Sequence, residues 1–197
     1  LSLAIQPGQV YGLLGPNGAG KSTLLEGMAR AWGFAVEGGT WGVVKPRARD
    51  PLYGALTVRT GARAKAGYFL RGETHTAVTE FGGRSHGESV MELTSRFIPN
   101  ALYLLDEPES GLSAVAQMAL LSQLHALAGA DAQVIAVTHS PIVLGVPGAE
   151  IVEVGEHGIE RGLAVADTLA YRAMRDFLED PHGIAEYMAG WAAEELR

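Results

Sequence analysis

Cysteine is absent from the 197 residues. That excludes a disulfide framework and any thiolate zinc site, and it fits a reducing compartment, so a cytoplasmic location is expected. No apolar run reaches the ~18 residues that a membrane span needs. A secretory leader is not visible either: the chain begins "LSLAIQPGQVYGLL", without a basic segment ahead of an apolar one. Because Leu1 falls inside what reads as a strand, further residues are expected upstream. Charge is sparse at 19% and hydrophobic residues reach 47%, a balance that excludes a disordered chain. The length fits a single domain over 1–197, with 167–197 as a C-terminal helical appendage.

The net charge of −7 is unevenly spread. Lys45, Arg47, Arg49, Arg59, Arg63, Lys65 and Arg71 face one acid, Asp50, within 45–71. Eleven acids oppose four bases over 150–197. A basic segment can meet an anion or a nucleic acid. A solvated loop surface is the favoured reading here, since no aromatic ladder interleaves the charges.

Apolar runs alternate with amphipathic ones. Strands are expected at 9–15, 66–70, 101–108 and 132–141, and a hairpin at 150–162 around Gly155–Gly158. Helices are expected at 21–32, 87–97, 113–129 and 167–180, the last capped by Asp167 and closed by Pro181. Residues 33–66, rich in Gly, Pro and Arg, carry no clear periodicity. In "GGRSHGESVMEL" (82–93), Ser85 and Glu88 form an S-x-x-E capping box at a helix start. Strands alternating with helices predict an α/β fold with a largely parallel sheet and helices on both faces.

The chemistry concentrates in three places. "GPNGAGKST" (15–23) satisfies G-x-x-x-x-G-K-[ST] between a strand and a helix, the context that marks a P-loop. Gly15, Gly18 and Gly20 let backbone N–H groups turn inward, with Pro16, Asn17 and Ala19 completing the loop. The helix N-terminus adds its positive end. Lys21 can reach β and γ phosphates, Ser22 can ligate Mg²⁺, and Thr23 closes the motif. "ALYLLDEP" (101–108) carries Asp106 to the end of a buried strand, where open α/β sheets bind ligands. There Asp106 orients the Mg²⁺ shell. Adjacent strand residues point oppositely, so Glu107 is expected at the strand's lip, able to orient water or accept its proton. His139 follows Asp106 by 33 residues, room for one helix and one returning strand. It is expected at the same edge, near the γ phosphate or the water.

Together these motifs resemble the ATP-binding-cassette (ABC) class of P-loop ATPases. "GPNGAGKST" is similar to its Walker A motif, "LYLLDEP" to Walker B with the adjacent catalytic glutamate, "VTHS" to its switch histidine, and "SGLS" (110–113) sits at the D-loop position. In that class an L-S-G-G-Q signature opens a helix ahead of Walker B and contacts the γ phosphate held by the other protomer. Here "RSHGE" (84–88) stands in that place: Ser85 matches the serine, Gly87 the second glycine, and Glu88 replaces the glutamine, while Arg84 and His86 depart from the pattern. The resemblance implies ATP and Mg²⁺ as cofactors and a head-to-tail homodimer with ATP sandwiched between protomers.

Two subclasses compete. "SHGES", "LLDEPESGLS" and "THSPIVLGVPGAEI" resemble small, soluble, stand-alone ATPases, whereas "LSLAIQPGQVYGLLGPNGAGKSTLL" is similar to a transporter's ATP-binding subunit. Transporter subunits place a glutamine loop and a helical subdomain between the 66–70 strand and the signature. Only 14 residues (71–84) stand there, while one 10-residue helix alone spans about 15 Å. No glutamine occurs between 24 and 116, which leaves Arg71 or Glu73 at that ligand's place. A reduced helical subdomain is therefore expected, and a membrane partner is disfavoured. A nucleic-acid-linked repair or defence ATPase is the remaining alternative, resting on the basic segment.

Overall fold

In the computed structural model the described residues are 8–16, 18–35, 37–42, 64, 66–71, 86–155 and 158–195. Seven strands form one sheet: β1 (Val10–Leu14), β2 (Gly39–Thr40), β3 (Ala66–Leu70), β4 (Ala101–Asp106), β5 (Gln133–Val137), β6 (Glu150–Gly155) and β7 (Gly158–Arg161). Their order is β2-β3-β4-β5-β1-β6-β7. The five inner strands run parallel. β2 and β7 close the two edges antiparallel. The helices are α1 (Lys21–Trp32), α2 (His86–Ser95), α3 (Ala114–Ala128), α4 (Pro141–Leu144), α5 (Leu169–Glu179) and α6 (Pro181–Glu195).

The apolar runs of the strands are continuous because both faces are covered. Along β4, Leu102 and Leu104 pack with Leu25 and Ala29 of α1 and with Phe34. Tyr103 and Leu105 pack on the opposite face with Val90 of α2, Leu120, Leu124 and Leu127 of α3, and Val143 of α4. β5 divides the same way, Ile135 and Val137 to one side, Val134 and Ala136 to the other. This period of two against two helical layers is what makes the fold α/β with helices on both faces.

The sequence expectations hold for the four strands, the hairpin and the helices to within a few residues, with one cap corrected. Thr168, not Asp167, caps α5. The Thr168 hydroxyl accepts from the Tyr171 amide at 3.2 Å, while Asp167 ends a short 3₁₀ turn, Val165–Asp167. The two residues are both good caps, and the preceding turn decides which of them reaches the first free amide. Pro181 does end the preceding helix, and it also begins α6, where the missing N–H costs nothing. Asp180 joins the two, its carboxylate accepting from the Gly183 amide at 2.9 Å. Residues 72–84 of the expected reduced helical subdomain lie outside the described residues, as does all of the basic segment except Ala64 and residues 66–71.

Candidate functional site

The order of strands sets the site. β4, β5 and β1 are neighbours, and all run the same way. Their C-terminal ends therefore deliver Asp106, the 138–140 turn and the P-loop to one edge of the sheet.

The loop after β1 turns sharply at Gly15, whose φ is +149°, and a side-chain Cβ there would collide with the Val154 carbonyl of β6. No larger residue fits. α1 then starts behind Gly20, a left-handed cap with φ 79°, which leaves the first-turn amides of α1 pointing into the loop. Lys21 is only 6% exposed. Its ammonium donates to the carbonyls of Gly15 at 2.7 Å and Pro16 at 2.8 Å. Burial lowers the Lys21 pKa, against the opposing pull of Glu107 and Asp106.

Ser22 Oγ donates to Asp106 Oδ1 at 2.9 Å across 84 residues of chain. Asp106 is 8% exposed. Burial raises its pKa first. The Ser22 hydrogen bond lowers it, Glu107 raises it, Arg71 lowers it and Glu26 raises it. Arg71 is itself ion-paired to Glu26 at 2.6 Å. Among the described residues no three His, Asp or Glu side chains gather as a self-sufficient metal cage. A hydroxyl and one carboxylate in contact suit Mg²⁺, which binds through one or two protein groups and completes its shell with waters and phosphate oxygens.

Glu107 leaves β4 in a left-handed conformation, φ 47°, uncommon for a residue with a side chain. Its amide donates to the Val137 carbonyl at 2.9 Å, which holds the turn against the end of β5. The carboxylate lies 3.9 Å from His139 Nε2, and Ser110 Oγ approaches it at 3.4 Å. Gly18, Gly20, Lys21, Ser22, Thr23, Glu107 and His139 line one cleft of about 440 Å³.

The structure thus brings together Gly15, Pro16, Gly18, Ala19, Gly20, Lys21, Ser22, Thr23, Asp106, Glu107 and His139. Asn17 and Ser85 lie outside the described residues. Gly87 and Glu88 fall in the first turn of α2. Sequence reasoning did not single out Glu109 or Gln117. Glu109 Oε1 accepts from Thr138 Oγ1 at 2.6 Å, from the His139 amide at 2.7 Å and from the Ser140 amide at 3.1 Å. Gln117 accepts from Ser140 Oγ at 2.7 Å and donates to the Leu112 carbonyl at 3.1 Å. No local pattern announces these partners, which lie 23 to 31 residues apart in the chain for Glu109 and for the Ser140 bond.

Comparison with known proteins falls on the same two regions. The "ABC transporter" family matches residues 1–34. The family described as "AAA domain, putative AbiEii toxin, Type IV TA system" matches residues 91–145. The chain is 28% identical to the hemin import ATP-binding protein HmuV of Pseudomonas aeruginosa over 71% of this chain and 69% of that protein. It is 61% identical to an uncharacterized ABC transporter ATP-binding protein of Synechocystis sp. over 36 residues, 17% of this chain and 10% of that protein. Among solved structures, a dimeric ATP-binding cassette bound to ADP and Pi aligns at 15% identity over 82% of this chain and 89% of its own, with a TM-score of 0.44. With a P-loop, an acid-ended strand and a histidine turn on one sheet edge, the chain is similar in sequence to ABC ATP-binding proteins, most densely over the P-loop region.

Proposed function

We propose that the protein binds Mg·ATP in the cleft and hydrolyses it as a head-to-tail homodimer, acting in the cytoplasm as a stand-alone ATPase. The observation that carries this reading is the convergence of Lys21, Ser22, Glu107 and His139 on one cleft. The P-loop amides and Lys21 hold the phosphates. Ser22 and Asp106 hold Mg²⁺, which when bound neutralises charge on the phosphate oxygens. Glu107 orients a water and takes its proton as the water oxygen bonds to the γ phosphorus and the bridging oxygen departs with ADP. His139, beside Glu107, contacts the γ phosphate or that water. The chain's part is positioning and charge stabilisation.

Glu107 and His139 are both left partly exposed, so the outer side of the cleft is open to solvent. A second copy presenting Ser85–Glu88 would cover it and exclude bulk water. Among the described residues no helix is long and apolar enough to cross a membrane.

The test is Glu107→Gln. ATP affinity should be kept, turnover should fall roughly 100-fold or more, and an ATP-bound dimer should accumulate. Hydrolysis at the wild-type rate would remove Glu107 from the mechanism. The ABC transporter match over 1–34 favours one second reading, an ATP-binding subunit of a membrane transporter. Co-purification with a membrane protein partner would select it. DNA-stimulated, salt-sensitive turnover would instead select a nucleic-acid-linked ATPase.

A further inference from the structure

Glu107 and His139 sit on two different turns. Their side chains are 3.9 Å apart, beyond hydrogen-bond reach, so their relative placement depends on how firmly the two turns are tied. β4 and β5 are adjacent, with Asp106 opposite Val137. The left-handed Glu107 and the buried Pro108 swing the next residue back over the end of β5. That residue is Glu109. One of its carboxylate oxygens, Oε1, takes the Thr138 hydroxyl and the His139 and Ser140 amides, at 2.6, 2.7 and 3.1 Å. The first two of these charge-assisted bonds are short, the Ser140 amide is shared with Thr138 Oγ1 at 3.0 Å, and the donors are three consecutive residues with His139 in the middle. The other oxygen, Oε2, is buried, with no hydrogen-bond partner among the described residues. Ser140 is held from its far side by Gln117, so the anchored unit is the turn itself.

We infer that Glu109 is a positioning residue for ATP hydrolysis, fixing the 138–140 turn so that the His139 imidazole stays beside the Glu107 carboxylate. The inference rests on the ATPase reading above. Glu109 is not among the residues that line the cleft, and it reaches His139, which is, through the backbone amide. It acts through the backbone of His139.

Glu109→Ala should lower kcat about tenfold or more with KM for ATP changed less than about threefold, as expected when a reacting group is misplaced and substrate affinity is left intact. In a His139→Ala background the same change should cost no more than about twofold, because the two residues act as one unit. Glu109→Gln keeps an acceptor oxygen in place and should stay within about threefold of wild type. Glu109→Asp withdraws it by one methylene and should resemble Ala. If Ala fails to fold, the Gln and Asp pair decides. Equal losses in both His139 backgrounds, a wild-type rate for Ala or Asp, or a Gln variant as slow as Asp each overturn the assignment. NMR of the His139 ring without nucleotide separates this from the ATPase reading. Ring signals that move in Asp or Ala but not in Gln support the positioning role even if the wild-type chain hydrolyses nothing, an outcome that would overturn only the ATPase reading. Unmoved signals overturn the positioning role regardless of activity.

Discussion

In the proposed function, Asp106 is asked to do two opposed things. It must be ionised to hold a cation, yet it is buried and its pKa is raised, chiefly by that burial. A carboxyl with a raised folded pKa binds its proton more readily in the folded chain than in the unfolded one. Its contribution to stability is full below the unfolded value and is lost as pH rises through the folded one. At neutral pH the charged form is therefore a liability to the fold. Asp106→Asn, which keeps an oxygen to accept from Ser22, should raise the melting temperature of the nucleotide-free protein at neutral pH. The gain should shrink as pH falls through the raised folded pKa and vanish below the ordinary value of 3.8. Mg²⁺-dependent turnover should be lost in the same variant. A melting temperature lowered at neutral pH would count against this account. The P-loop and Asp106 were legible as residues because each is a local pattern, a glycine-rich turn or an acid ending an apolar run. Glu109 was not, because its meaning comes only from β4 lying beside β5, a fact of tertiary structure.

Among elements, the longest periodic segments were the readable ones. β2 has two residues and α4 has four, too few for any periodicity to register. α4 exists because of its ends: Ser140 Oγ accepts from the Ile142 and Val143 amides at 3.1 and 3.2 Å, and Pro141 supplies the first helical position. At α5 the same logic gives a measurable consequence. Thr168 is fully buried, donates to the Val165 carbonyl at 2.7 Å and caps Tyr171. Thr168→Ala should cost about 1 kcal/mol and speed amide exchange in the first turn of α5. Asp167→Ala should do neither. Equal effects at the two positions would mean that the cap has been misassigned.

For the whole molecule, the parallel order and two-sided burial followed from strand–helix alternation, since that pattern admits few arrangements. What would cover the cleft in the proposed dimer did not follow, because it depends on a second surface. The resemblance assigns that surface to Ser85, Gly87 and Glu88, and α2 begins at His86, so the 82–93 stretch does open a helix. Ser85→Arg placed in the Glu107→Gln background should abolish the ATP-dependent dimer seen by light scattering while leaving ATP affinity of the monomer within a few-fold. A dimer that persists would move the interface elsewhere.

The two bonds from Lys21 to the Gly15 and Pro16 carbonyls have a consequence of their own. The ammonium is not a bare charge waiting in a cavity, because the loop already engages it. A phosphate that recruits Lys21 does so by exchange, giving up two existing contacts for new ones, so the residue's net contribution is a difference between hosts. An anion succeeds there by outcompeting the peptide backbone, and ligands presenting several oxygens to the loop at once are the ones equipped to do so.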